Sequence, residues 1–270
     1  MSKVFIFIFA ALVLGLAMYS PNIYKLYRLA NLYNEKTIAK NFINIDNIFS
    51  NISSPIPASE KPHIFETKDF DLPEKYSFEG EELDLKEGLS HFHTDGLIIL
   101  YDGKMLFEDY WNGNTKDSKH ISFSVAKSYL SALFGIAIDE GLIDSIDDNV
   151  TKYLEDFVGT GYEDVKIKNL LQMSSGIEFN EDYADPNSDI NKFSRASAKG
   201  QSFRDFAKSL KNGREQGTYN HYVSLDTQVL AMILESVTDM PVREYGTQLA
   251  LKVMHTILRI AQVPIWLLVA

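Results

Sequence analysis

The stretch SVAKSYLSALFGIAIDEG, residues 124–141, decides how the chain folds. Its apolar residues recur at helical spacing, at Val125, Tyr129 and Leu133, and the run stops at Gly141. Apolar residues three or four positions apart line one face of a helix, and a glycine commonly follows its end. The stretch therefore predicts one amphipathic helix with a face against the core.

The same stretch begins with the only S-x-x-K pattern of the sequence, Ser124 and Lys127. Residues three apart at the start of a helix share a face, so the hydroxyl and the amine can come within hydrogen-bond reach. A lysine beside a serine can take its proton and activate it as a nucleophile, and the helix start offers N–H groups to an oxyanion. The pattern alone is weak evidence, because a solvent-exposed helix start without a catalytic role can contain the same residues.

A second candidate group lies in GTYNHYVSLDT, residues 217–227, which runs into another apolar helix pattern. It contains a Y-x-S pattern, Tyr222 and Ser224. A phenol held near the lysine could pass protons between a nucleophile and a leaving group. The structural alternative is a packed tyrosine whose hydroxyl bonds a backbone group.

Patterns on both sides of these stretches predict a hairpin followed by helices. The β-rich segments 96–101 and 104–110 flank Asp102-Gly103, a strong signal for a two-residue turn. Helical spacing occurs at 82–91, 124–140, 167–173, 202–210 and 226–237, and again after Pro241. With no strand–helix alternation and no internal repeat, the order predicts an α+β fold.

The composition excludes several classes of function. Lys and Arg number 26 against 37 Asp and Glu, a net charge of −11, so no basic footprint for nucleic acid is visible. Without cysteine there is no disulfide, thiolate metal site or cysteine nucleophile.

The two ends of the chain differ from its middle. Residues 1–20 carry one lysine before an apolar run, which predicts a signal peptide or N-terminal membrane anchor and places the protein on the periplasmic or extracellular side. Residues 21–75 are punctuated by prolines and read as a leader or spacer. The domain is predicted to span residues 76–270, whose last twenty or so are largely apolar.

Several blocks, in order, resemble the serine β-lactamase and penicillin-binding-protein superfamily, in particular its class C-like branch of 6-aminohexanoate-dimer hydrolases and related esterases. The nucleophile motif is matched by residues 122–128. The segments 137–154 and 165–176 are similar to two further family blocks, residues 181–186 are similar to the oligomer-hydrolase branch, and the Y-x-S pattern comes last. The resemblance implies a β-lactamase-like α+β fold, a helical domain with an antiparallel sheet.

The resemblance also implies roles for individual residues. Ser124 is the implied acyl-forming nucleophile, Lys127 its proton acceptor and Tyr222 the second base. Tyr222 is preferred to Tyr219 because the family's tyrosine stands four positions before a polar residue at a helix start, as Tyr222 stands before Asp226. Ser224 is expected to hydrogen-bond the substrate or Lys127. Tyr183 is expected to line the pocket. The family's chemistry needs no metal and no organic cofactor.

The sequence departs from the family after Tyr245. The family's third motif, K-T-G or H-x-G on a central strand, has no match here, so the C-terminal strands of the sheet are expected to be missing and the domain incomplete. Two functions remain open. One is a hydrolase that cleaves an amide or ester bond of a small molecule or peptide. The other is an impaired or inert remnant that acts as a membrane-associated binding module.

Overall fold

The computed structural model describes residues 31–45, 64–198 and 200–252, together with Tyr24, Tyr27 and Arg28. The predicted signal or anchor segment, 1–20, and the apolar residues 253–270 lie outside this part of the chain. The described residues form two compact units, one up to Ile121 and the other from Ser122 onward. Within the described ranges, no helix combines the length and the apolar composition needed to cross a membrane.

Over residues 31–45 and 64–121 the first unit contains two small sheets and two short helices. Its elements are α1 (Ile38–Phe42), β1 (Glu66–Thr67), β2 (Lys75–Phe78), β3 (Glu81–Asp84), α2 (Leu85–His91), β4 (Gly96–Tyr101) and β5 (Lys104–Tyr110). One sheet has the order β1-β5-β4, with β1 parallel and β4 antiparallel to β5, and β2 pairs with β3 in a separate hairpin. The β4–β5 hairpin confirms the prediction from Asp102-Gly103, whose φ angles of 49° and 72° are those of a tight hairpin turn.

The helix predicted from residue 82 begins later, at Leu85. Residues 81–84 form β3, because Glu79 and Gly80 take positive φ angles of 51° and 86° and turn the chain back onto β2. The carboxylate of Asp84 then accepts the Glu87 N–H at 2.8 Å and starts the helix. The acidic residues before Asp84 therefore belong to a hairpin, and the prediction of a helix start there is wrong.

Part of the segment predicted as a spacer is folded into the first unit. Leu32 and Ile45 are buried, and the Ile121 N–H donates to the Phe42 carbonyl at 3.0 Å. Strand β1 lies in the same segment and extends the sheet along β5. The predicted domain boundary at residue 76 stays a prediction.

The second unit is helical and carries the candidate site. Its elements are α3 (Val125–Asp139), α4 (Ile167–Leu171), α5 (Asp189–Ala198), α6 (Phe203–Ser209), α7 (Ser224–Thr238) and α8 (Val242–Lys252), with 3₁₀ turns at Val150–Lys152 and Glu155–Phe157. Helix α7 is central, because α3, α4, α6 and α8 all pack against it. Nine of its residues, from Leu225 to Leu234, are buried. All the helices predicted in this unit are present, and α5 is an addition.

The loop before α7 packs against the segment after α4 at Gly176. The Gly213 N–H donates to the Gly176 carbonyl at 3.0 Å, and Ile177 pairs with Asn212. Gly176 has a φ of +80°, and a Cβ there would overlap the carbonyl oxygen of Arg214. This close approach needs a glycine.

Replacing Gly176 with alanine is expected to lower the free energy of unfolding by about 2–4 kcal/mol, the sum of left-handed backbone strain and steric overlap. Gly159→Ala is the matched control, because Gly159 has nearly the same φ, +81°, but open space around its Cβ position. It should cost only about 1–2 kcal/mol. Urea unfolding of the two variants measures the difference, and equal losses would contradict the packing described.

Candidate active site

Helix α3 presents Ser124 and Lys127 side by side at its start. The Lys127 Nζ donates to the Ser124 Oγ at 3.1 Å. Ser124 is exposed and Lys127 half-buried, so the hydroxyl is open to a ligand while the amine is partly shielded. The structure thus places these two predicted residues in direct contact.

The residue before Ser124 has an unusual backbone. Phe123 has a φ of +42°, in the left-handed region that non-glycine residues rarely adopt. Such a conformation costs on the order of 1–3 kcal/mol and is common next to functional groups. The turn places Ser124 at the mouth of the helix, where its N–H makes no hydrogen bond to a described residue. That N–H can donate to an anion forming at the Ser124 side chain.

Tyr222 reaches the same place from the loop before α7. The Lys127 Nζ lies 5.1 Å from the centroid of the Tyr222 ring, a cation–π contact. Among the described residues the Tyr222 hydroxyl has no hydrogen bond to Ser124 or Lys127. Tyr219, the competing tyrosine, instead packs under Arg214, whose Cζ is 4.8 Å from its ring centroid. The structure therefore brings Tyr222, and not Tyr219, to the lysine.

Hydrogen bonds from His221 hold this loop in place. Its N–H donates to the Met173 carbonyl at 2.7 Å, and its Nε2 lies 2.8 Å from the Phe179 carbonyl oxygen. Val223, two positions along, is buried. Tyr222 projects between these two fixed residues.

Ser224 and Tyr183 meet at the carboxylate of Glu181, which lies in the block 181–186 but was given no role from the sequence. The Ser224 Oγ donates to the Glu181 Oε1 at 2.5 Å and its N–H to Oε2 at 3.0 Å. The Tyr183 hydroxyl donates to the same Oε1 at 3.2 Å. Burial, with the charge and hydrogen bond of Glu181, raises the pKa of Tyr183 to about 12. Ser224 is thus engaged by Glu181 and not by Lys127.

A second carboxyl group, Asp226, lies buried in the first turn of α7. The Tyr162 hydroxyl donates to its Oδ1 at 3.1 Å, and its Oδ2 is buried without a partner among the described residues. Burial raises the pKa of Asp226 to about 7. The hydroxyls of Ser175 and Tyr162 lower this pKa, and the charge of Glu181 raises it further. Sequence reasoning used Asp226 only as a mark of the helix start.

The raised pKa of Asp226 makes stability depend on pH. The folded protein keeps a proton that the unfolded chain, with a pKa of 3.8, releases. The contribution of Asp226 to the free energy of unfolding should therefore be fully present below about pH 4 and fall as the pH rises to about 7, by about 2–3 kcal/mol between pH 5 and pH 7.

The Asp226→Asn variant removes this titration and should gain stability relative to the wild type as the pH rises. Urea unfolding of both proteins at pH 5, 6, 7 and 8 measures the difference. Parallel pH profiles would show that Asp226 titrates normally. Tyr162→Phe, which deletes the hydroxyl that bonds Oδ1, should retain the pH dependence.

The described residues contain no group of three or more His, Asp or Glu side chains placed to hold a metal ion. The groups that the structure brings together at the start of α3 are the Ser124 hydroxyl, the Lys127 amine and the Tyr222 ring.

Comparison with known proteins identifies the family. The family model for beta-lactamases matches residues 85–256, more than half of the chain, including Ser124, Lys127 and Tyr222. The chain belongs to the beta-lactamase family. The predicted family resemblance is confirmed.

Two relatives of this beta-lactamase-family chain are named for the same activity. The 6-aminohexanoate-dimer hydrolase of Paenarthrobacter ureafaciens is 34% identical over 163 residues, which are 57% of this chain and 41% of the relative. A Bacillus anthracis protein solved under the provisional name 6-aminohexanoate-dimer hydrolase superposes with a TM-score of 0.70 at 18% identity, over 82% of this chain and 59% of its own. This superposition confirms the β-lactamase-like α+β fold. The chain spans about two fifths to three fifths of the length of these relatives.

Proposed function

We propose that the chain is a serine hydrolase that cleaves an amide or ester bond of a small molecule or peptide through an acyl-enzyme on Ser124. The observation that carries the proposal is the 3.1 Å contact between the Lys127 Nζ and the Ser124 Oγ at the open end of a helix. Membership of the beta-lactamase family supports it.

In the proposed reaction the Lys127 amine takes the proton of the Ser124 hydroxyl. The Oγ then attacks the carbonyl carbon, and the carbonyl oxygen becomes an oxyanion that the Ser124 N–H stabilises. Tyr222, next to Lys127, gives its phenolic proton to the leaving nitrogen or oxygen as the bond breaks, and the Lys127 ammonium returns a proton to the phenolate. A water molecule then hydrolyses the acyl-enzyme and restores the Ser124 hydroxyl.

The relatives' names suggest an amide substrate. The 34% identical relative is called a hydrolase of the 6-aminohexanoate dimer, a linear amide. We propose that amides of this kind are better substrates than esters or β-lactams.

A substrate panel tests the proposal. The purified full chain should release 6-aminohexanoate from the linear dimer, and p-nitrophenol from an acetate ester, above the uncatalysed rate. A folded chain that turns over neither of these nor a chromogenic β-lactam would contradict the proposed function. The outcome would favour the alternative of a non-catalytic binding module.

We also propose that the chain acts outside the cytoplasm. Residues 1–20 would either anchor it to the membrane or be cleaved as a signal peptide. This rests on the apolar run after Lys3. A fusion of residues 1–75 to alkaline phosphatase, which is active only after export, should give phosphatase activity. A fusion that lacks residues 1–20 should give none, and activity in both fusions or in neither would contradict export by this segment.

A further inference from the structure

The start of helix α7 takes its cap from a distant residue. The residue before the helix is Val223, whose side chain cannot accept a hydrogen bond, and no side-chain cap comes from it. The first N–H groups of a helix need acceptors. The Ser224 N–H finds one in the Glu181 Oε2, 43 positions earlier in the chain.

Glu181 is also the common acceptor of two site hydroxyls. Its Oε1 accepts from the Ser224 Oγ at 2.5 Å and from the Tyr183 hydroxyl at 3.2 Å. The negative charge lies at the positive end of the α7 dipole, which favours it. One carboxylate therefore ties residues 181–183 to the first residue of the helix.

We propose that Glu181 is a positioning residue, which holds the Tyr222 phenol over Lys127 by anchoring the first residue of α7. Tyr222 stands two residues before Ser224, so a shift of the helix start moves the phenol directly. The inference rests on the proposed function, because it requires Tyr222 to move a proton there.

A glutamine at position 181 tests the role of the carboxylate, because it has nearly the same size and shape as glutamate but no charge. The carboxylate accepts on both oxygens, whereas a glutamine amide accepts on one and donates from the other. Glu181→Gln therefore removes the negative charge at the helix start and reverses the bonds to the two hydroxyls, which must accept from the NH₂ group while the amide oxygen accepts from the Ser224 N–H. The side chain keeps its shape, and the helix start loosens.

The test is a double-mutant cycle on the full chain, measured by hydrolysis of the linear 6-aminohexanoate dimer, whose leaving nitrogen needs a proton. Four proteins are compared: wild type, Glu181→Gln, Tyr222→Phe and the double variant. Each gives a kcat and a KM. Glu178→Gln is the matched control, since Glu178 is an exposed acid three residues earlier with no role assigned to it.

Glu181→Gln should lower the kcat for the dimer by about 10- to 100-fold and change the KM by less than about threefold. In the Tyr222→Phe background the same change should cost less than about twofold, because there is no phenol left to position. Glu178→Gln should hydrolyse the dimer like the wild type.

Equal losses from Glu181→Gln in both backgrounds, or no loss in either, would overturn the inference while leaving the proposed function intact. A folded wild-type chain that hydrolyses neither the dimer nor p-nitrophenyl acetate would overturn both. If Glu181→Gln does not fold, Ser224→Ala replaces it, since it removes one of the three bonds and keeps the carboxylate. It should cost about fivefold, and again almost nothing beside Tyr222→Phe; a loss that persists there would also overturn the inference.

Discussion

Amide and ester hydrolysis is expected to fall by ~10⁴-fold or more when Ser124 is replaced by alanine. The proposed reaction forms its covalent bond at the Ser124 Oγ, and no other hydroxyl is described within hydrogen-bond distance of the Lys127 Nζ. Initial rates on the linear 6-aminohexanoate dimer and on p-nitrophenyl acetate measure the loss.

Ser128→Ala is the control for this change. Ser128 is an exposed serine one turn further along α3, and its replacement should leave the rates within about twofold of the wild type. Thermal melting of Ser124→Ala should also match the wild type within about 0.5 kcal/mol, because the Ser124 side chain makes no capping bond to α3. Activity that survives in Ser124→Ala would show that another residue is the nucleophile.

Lys127→Arg is expected to lower the rate by about 10³-fold although the positive charge remains. Arginine can still lie over the Tyr222 ring, but its guanidinium does not give up a proton in proteins and so cannot act as the base. The variant therefore tests proton transfer separately from charge. The same rate assays measure it.

Lys168→Arg is the matched control, because Lys168 forms a surface ion pair with Asp147, 2.7 Å from Nζ to Oδ1, that an arginine can keep. It should show wild-type activity. Near-normal rates in Lys127→Arg would mean that position 127 contributes charge alone, and the proton would need another acceptor.

The elements that sequence predicted well are those whose signal is local. The Asp102-Gly103 pair determines a two-residue turn through its own backbone preference, and the β4–β5 hairpin follows. Helix α3 was predicted because its apolar residues keep one period for fifteen residues and Gly141, with a φ of +73°, ends the run.

The missed elements depend on distant partners. Strand β1 has two exposed residues and exists only because β5 pairs with it. Hairpin β2–β3 is largely exposed, so it lacks the alternation of apolar and polar residues by which a strand is recognised. Part of β3 instead fell within the helical spacing at 82–91.

The residues of the candidate site also differ in whether local sequence or distant contacts determine their positions. Ser124 and Lys127 could be paired from sequence because their spacing alone brings them together on one helix. The approach of Tyr222 to Lys127 depends on how the loop before α7 packs, through His221. Glu181 and Asp226 were missed because their roles come from burial and from partners 43 and 64 positions away.

The most direct measurement of the central claim is the location of the phosphonyl group that a serine-reactive probe transfers to the nucleophile. The full chain is incubated with a fluorophosphonate probe, digested, and the modified peptide sequenced by mass spectrometry. We predict one adduct, on Ser124, that is absent from Ser124→Ala and present in Ser128→Ala. An adduct on another residue, or a folded protein with no adduct, would contradict the account.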